Sequence, residues 1–189
     1  NSSGVDLMTG TGECWAYLLK SRPGVSTITA VDISTGMIRR AIERLHASRS
    51  HNIKVVEADV FAAKLPEASA DFAICVFGVK TFNSDQHARF AGEIARILKP
   101  GGVFSLVEAS DPQGWPLRGL FVFYLKRMLP LIERLFLRGA QDFSMLGVYA
   151  ENFQNCRHLH DCLAGEGLDV TYKTYFSGCA TGVAGRKPP

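Results

Sequence analysis

Apolar and polar positions fall into two alternating patterns along the 189 residues. In short runs nearly every position is apolar, as in parallel strands covered on both faces. In longer stretches apolar residues recur every three or four positions, as in helices with one buried face. The first apolar run, around Val5 and Leu7, leads into the glycine turn Thr9-Gly10-Thr11-Gly12. A helix over 13–20 follows, with Trp15, Leu18 and Leu19 turned inward, and Arg22-Pro23-Gly24 ends it. Ile28 to Asp32 reads as a second strand. The next stretch, 34–45, is an amphipathic helix with Ser34 as N-cap and Met37, Ile38, Ala41 and Leu45 on one face.

The same alternation continues. A third strand is expected over 53–58, ending in Asp59-Val60, then a surface loop over 65–71, and the nearly all-apolar strand 72–77. A helix over 84–98 is closed by Lys99-Pro100-Gly101-Gly102, and strand 103–108 follows. Beyond it the pattern predicts a long helix over 116–138 kinked at Pro130, a helix over 152–165, and an antiparallel hairpin of 168–175 with 180–186 around Ser177-Gly178. Strands alternating with helices predict an α/β fold. The architecture expected is a Rossmann-like three-layer αβα sandwich on a mostly parallel seven-stranded sheet with a C-terminal antiparallel hairpin. A chain of this length, 47% hydrophobic, suffices for a single domain over 1–189.

Charge and cysteines narrow the class. The net charge of +3 is spread along the chain without an arginine-rich helix, so no nucleic-acid partner is implied. Five cysteines, an odd number without a C-x-x-C pair, suit a reducing, cytoplasmic setting. There is no signal peptide or membrane-length apolar run, so a soluble or peripheral protein is expected. On a helix, Cys156 would pair with His160 and His158 with Cys162 on different faces, so no metal site is expected. His87 reads as a solvated helix residue, and no arrangement of nucleophile and base suggests a hydrolase.

The glycine turn carries the chemistry. Gly10 and Gly12 let the backbone bend and approach a ligand while the first amides of the next helix face outward. Asp32, at the end of the second strand, is placed to accept ribose hydroxyls. A dinucleotide fingerprint needs glycine where Trp15 stands, and the turn lacks the lysine and hydroxyl of a P-loop. A nucleoside without phosphate remains, and adenosine joined to methionine fits.

Asp6 through Gly12 resembles the D-x-G-x-G-x-G motif of the class I S-adenosylmethionine-dependent methyltransferases, with Met8 in the first glycine's place. A non-glycine there is shared with the ubiquinone and menaquinone C-methyltransferases. Arg96 through Gly102 matches the R-x-L-K-P-G-G run of the superfamily, and Phe77 through Asn83 resembles the F-G-x-R-N run of that subgroup. The spacing of the tail, 143–187, parallels it too. Members of the group carry a helical segment ahead of the first strand that helps cover the cofactor, and such a segment is expected before Asn1.

The resemblance implies S-adenosyl-L-methionine as cofactor, held by Asp6, Met8, Thr9, Gly10, Gly12, Asp32 and Phe77, with Asp59 and Val60 on the adenine and Ile33 and Met37 as walls. Each has a plainer reading: Asp6 and Asp32 as solvated strand-end acids, Asp59 as a turn former, Ile33 and Met37 as core. Lys80 stands where the subgroup has arginine. It is either a catalytic cation holding a phenolate or quinol oxygen, or a surface lysine. Phe82, Trp115, Tyr124 and Tyr149 are candidates for an apolar substrate pocket.

The long helix opposes Arg118, Lys126, Arg127, Arg134 and Arg138 to the single acid Glu133. A peripheral contact with an anionic membrane, a homodimer interface and packing on its own domain all explain that pattern. The reading is methyl transfer to a small aromatic or quinol-like acceptor, with a prenylated quinol in quinone biosynthesis as its specific form. Methylation of oxygen or nitrogen in another small molecule, and a non-catalytic cofactor-binding scaffold, stand as alternatives.

Overall fold

β1 (Ser2–Leu7) pairs in parallel with β2 (Val25–Asp32) on one side and β4 (Ala70–Val76) on the other, and so becomes the pivot of the sheet. The computed structural model describes residues 2–48, 52–129, 131 and 146–189. The remaining strands are β3 (Ile53–Glu57), β5 (Leu98–Ala109), β6 (Asp169–Tyr175) and β7 (Ala180–Arg186). The order is β3-β2-β1-β4-β5-β7-β6, with β7 antiparallel to both neighbours and every other pairing parallel. The expected architecture is therefore the one observed. Strand order reverses between β1 and β4, and in such sheets ligands collect outside the strand carboxyl ends at the reversal.

The near-continuous apolar strands arise because both faces are covered. Phe72 of β4 and Ile28 and Ala30 of β2 pack with Trp15 of α1 (Trp15–Ser21) and Ala41 of α2 (Thr35–Ser48). The intervening Ala73, Cys75 and Val31 face the other way, onto Phe90, Ala91, Ile94 and Ile97 of α3 (Ser84–Ile97). Full burial of side chains such as Phe90 and Ile94 contributes about 1.5–3 kcal/mol each. Asn83 and Gln86 begin α3 with a reciprocal capping box, satisfying two otherwise unpaired amides.

Several boundaries differ from the sequence pattern. Lys99-Pro100-Gly101-Gly102 is a bulge within β5 rather than a plain stop: Ala70 pairs with Leu98 but Phe72 with Val103. Gly101 has φ +77°, and its N–H donates to the Lys187 carbonyl at 2.9 Å. The helix expected over 152–165 is two helices, α5 (Leu146–Phe153) and α6 (Arg157–Gly165). Gln154, at φ +61°, ends the first helix, and the Cys156 N–H donates to the buried Thr181 hydroxyl at 2.9 Å instead of continuing it. The described part of the long helix is α4 (Arg118–Phe123) followed by a π-helical turn, Tyr124–Met128. Its kink at Pro130, and Glu133, Arg134 and Arg138, lie outside the described residues. So does Phe143, where the resembled tail begins.

Candidate functional site

Asp6 is the penultimate residue of β1 and is 3% exposed. A buried carboxylate needs donors, and two arrive from the following turn and helix: the Thr9 hydroxyl, and the Trp15 indole N–H at 2.8 Å. Trp15 occupies the third-glycine place because its ring fills the space beneath the turn. A Cβ on Gly12, at φ +73°, would lie 2.7 Å from that ring. Burial pushes the Asp6 carboxyl up to about 6 against the opposing effect of its hydrogen bonds, and nearby Asp32 adds to the rise.

Asp32, at the end of β2, accepts from the Gly10 N–H at 2.8 Å and the Ser34 N–H at 2.9 Å. A carboxylate has about four acceptor sites, so these two bonds leave capacity for a hydroxyl-bearing ligand. Arg44 of α2 donates to the Thr11 carbonyl at 2.9 Å, tying that helix to the turn. Met8 adopts the left-handed conformation, φ 57°, that glycine would take without strain. It packs over Gly78, where a Cβ would come within 2.8 Å of it.

Across the sheet reversal, Phe77 also has positive φ, 62°, and stands 53% exposed at the end of β4. The short 3-10 turn Val79–Thr81 then presents Lys80. Its side chain is 9% exposed, its ammonium donates to the Phe77 carbonyl, and it lies 3.1 Å from Glu108 Oε1. Glu108, near the end of β5, is fully buried. It also accepts the backbone N–H of Lys80 at 3.0 Å and of Ala109 at 2.7 Å. Burial pushes the Glu108 carboxyl above its ordinary range, opposed by the Lys80 charge. Lys80 is thus a paired, mostly buried cation rather than a free surface lysine.

These two regions bound one cleft of about 1040 Å³. It is lined by Asp6, Met8, Thr9, Gly10, Asp32, Met37, Phe77 and Lys80 from the expected set, and by Thr11, Glu13, Cys14, Ser34, Arg40, Val76, Gly78, Thr81 and Ala109. The volume sits at the upper end of small-molecule pockets, about 300–1000 Å³. Glu13 is paired with Arg44 at 3.6 Å, but Asp6 and Asp32 are held by neutral donors, so this end of the cleft favours a positively charged ligand group. S-adenosylmethionine, a nucleoside carrying a sulfonium, fits size, hydroxyl acceptors and charge.

Other expected residues lie elsewhere. Gly12 is buried behind the cleft against Trp15. Ile33 is 67% exposed, and Val60 is buried in the core. Exposed Asp59 accepts the Phe61 N–H at 2.9 Å, a turn-forming bond. Phe82 joins an aromatic stack, 5.3 Å from Phe61 and 5.4 Å from Phe90 by ring centroids. Trp115 follows the β5 loop, while Tyr124 and Tyr149 are partly exposed on the π-helical turn and α5. None of these four aromatics lines the cleft.

His87 is corrected outright. It is buried, not solvated, because its Nε2 lies 3.0 Å from the Val79 carbonyl and braces the turn that carries Lys80. Burial lowers its pKa, so the ring is neutral and the bond requires the proton on Nε2. Cys156 precedes α6 and is buried, while His158 and Cys162 lie 3.7 Å apart on α6, with the His158 ring 5.6 Å from that of His87. Among the described residues no group of three His, Cys, Asp or Glu is arranged for a metal.

Sequence reasoning missed Glu108, although the signal used for Asp6, an acid ending an otherwise apolar strand, is present there as well. It also missed Asp111, 6% exposed, which Arg118 grips with two bonds of 2.6 and 2.7 Å to fix the start of α4.

Known proteins resemble the chain in sequence and in fold. A family model described as the ubiE/COQ5 methyltransferase family matches residues 1–187. The demethylmenaquinone methyltransferase of Shouchella clausii (strain KSM-K16) is 28% identical over 189 residues, 99% of this chain and 79% of the relative. A SAM dependent methyltransferase from Aquifex aeolicus superposes with a TM-score of 0.68 at 17% identity, over 97% of this chain and 81% of that one. Phosphoethanolamine N-methyltransferase 2 of Haemonchus contortus, in complex with S-adenosyl-L-methionine, superposes with a TM-score of 0.70 at 14% identity. That match covers 100% of this chain and 49% of the other. At such identities the two solved structures speak for the fold.

Proposed function

We propose, on the premise that the chain belongs to the ubiE/COQ5 methyltransferase family and is an S-adenosylmethionine-dependent methyltransferase, that it methylates a ring carbon of a small quinol-like acceptor. The observation that carries this reading is Lys80, a lining residue of the cleft that Asp6 and Asp32 also line. A lysine N–H donated to the acceptor oxygen favours loss of the hydroxyl proton to solvent, and the electrons of the ionised oxygen then drive the ring carbon onto the methyl group. The 28% identical relative named demethylmenaquinone methyltransferase supports the same class of acceptor.

In this reading Asp32 takes the ribose hydroxyls, the turn around Gly10 receives the methionine part, and Asp6 sets the orientation of Thr9 and Trp15 beneath it. When bound, S-adenosylmethionine supplies a methyl group already activated on a sulfonium. The protein's remaining tasks are to hold donor and acceptor near contact and to exclude water. Phe77, projecting from its strained position, is placed to cover the cleft. Lys80 holds the acceptor oxygen, and the ring proton lost on methylation leaves to solvent.

A prenylated quinol would be drawn from a membrane. No described helix is long and apolar enough to cross one. Leu117, Leu120 and Phe123 on and beside α4 are exposed, and this apolar group supports a peripheral contact, while the neighbouring Arg118 and Lys126 are already paired with Asp111 and Glu151.

The test is calorimetry of S-adenosylmethionine and S-adenosylhomocysteine, with NADH as control, followed by turnover on prenylated quinols. The reading expects saturable binding of both sulfur ligands, none of NADH, and a C-methylated product. Lys80→Met should lower kcat at least about 100-fold with cofactor affinity unchanged. Methylation confined to oxygen or nitrogen of the acceptor would replace this reading.

A further inference from the structure

Lys80 is a cation at a ligand cleft, yet its charge does not stand alone. The Glu108 carboxylate, fully buried beneath it, lies 3.1 Å from the ammonium and takes the backbone N–H of the same residue at 3.0 Å. A third bond, from the Ala109 N–H at 2.7 Å, fixes the carboxylate in place. Its acceptors are turned toward Lys80 and the turn that bears it, and the cleft lining does not include it. The ammonium has three donors; one goes to the Phe77 carbonyl and one side faces Glu108, so a donor remains for a ligand.

This arrangement keeps a strong hydrogen-bond donor at the cleft while cancelling its net charge. An unpaired lysine would attract a carboxylate or phosphate, whereas a lysine already neutralised from behind offers a hydrogen bond with little net attraction for an anion. The carboxylates of Asp6 and Asp32 in the same cleft, both held by neutral donors, add repulsion toward any second anion. The other cation of the lining, Arg40, comes from α2, the side of the cleft that carries Asp32.

We propose that Glu108 is a specificity-determining residue: by neutralising Lys80 from inside the protein, it makes the cleft select an uncharged, hydroxyl-bearing ring over one bearing a carboxylate or phosphate. The proposal rests on the reading of Lys80 as the cation that meets the acceptor, and it names the acceptor's charge class.

The experiment measures binding of 2-naphthol and 2-naphthoate, aromatic probes of matched size, to the full chain saturated with S-adenosylhomocysteine. Wild type should bind 2-naphthol at least about tenfold more tightly. Glu108→Gln keeps the shape and an acceptor for the backbone amides but removes the charge. It should shift the preference toward 2-naphthoate by about tenfold or more, chiefly through tighter naphthoate binding.

Should that variant fail to fold, Lys80→Gln serves instead. It should weaken 2-naphthol about fivefold or more and give 2-naphthoate no gain. Equal affinities in wild type, a preference for naphthoate, binding of neither probe, or a ratio unmoved by Glu108→Gln would each overturn the proposal. Loss of quinol turnover with the probe preference intact would instead remove the C-methylation reading and leave this one standing.

Discussion

On the β1–β2 side of the cleft, the two strand-end carboxylates are held by neutral donors, Asp6 by a hydroxyl and an indole and Asp32 by two backbone amides, while the exposed Glu13 faces a cation, Arg44 at 3.6 Å. On the β4–β5 side each buried acid meets a full opposite charge, Glu108 with Lys80 and Asp111 with Arg118. The first arrangement orients negative charge without cancelling it and leaves it available to a cationic cofactor. The second cancels charge and leaves geometry. One cleft therefore presents an acidic end and a neutral, hydrogen-bonding end, which matches the two chemically different partners of a methyl transfer.

The sharpest way to break this comparison is to remove one acid from each side. Glu108→Ala leaves the Lys80 ammonium and two amides without their partner and should cost about 3–5 kcal/mol in urea unfolding. Asp32→Ala, losing two bonds at a half-buried site, should cost about 1–2 kcal/mol. Equal losses would mean that the two sides are held alike.

Asp6 gives the next largest effect, through pH. Its folded pKa, about 6, lies above its ordinary 3.8, so the folded chain binds this proton more tightly than the unfolded one. Its stabilising contribution is complete below pH 3.8 and is lost as pH rises to about 6, an amount on the order of 3 kcal/mol. Asp71 works in the opposite sense and a lower window. The Ser3 amide and Lys99 hold it down to about 2, so its contribution is present above 3.8 and lost as pH falls toward 2. Unfolding curves between pH 4 and 7 should show the Asp6 loss in wild type and not in Asp6→Asn. Affinity for S-adenosylmethionine should rise over the same interval as Asp6 ionises, and a flat affinity profile would contradict the acidic-end argument.

Asp32→Ala should also weaken S-adenosylmethionine binding by about 10- to 100-fold in calorimetry, the value of hydrogen bonds to a charged group, while circular dichroism stays unchanged. A smaller loss would move the ribose contact elsewhere.

The smallest effect is expected at Met8. Glycine there relieves the positive φ but adds freedom to the unfolded chain and empties the contact with Gly78, so Met8→Gly should change stability by no more than about 1 kcal/mol. A large destabilisation would show that the Met8 side chain, rather than the turn backbone, joins the two sides of the cleft.

Legibility in the sequence followed the same division. The glycine turn and the acid ending β2 could be read because a tight turn demands particular residues at fixed spacing, and that demand is local. The run Phe77 through Asn83 located Lys80, but its environment was invisible: the carboxylate that buries it lies 28 residues away, on the neighbouring strand. His87 was misread for a related reason. Its place in a polar-looking stretch of α3 did not disclose the Val79 carbonyl and the Phe82, Phe153 and His158 rings that enclose it. The break at Gln154 was missed because its cause, the Thr181 hydroxyl that takes the Cys156 N–H, comes from β7.

What the sequence determined by itself is the order of strands and helices along the chain, the glycine turn and the family, since periodicity, turn chemistry and short motifs are properties of neighbouring residues. What the tertiary structure decided is which charges cancel. Burial and pairing depend on strands brought together by the parallel sheet, and a buried charge takes its meaning from the group that crosses to meet it.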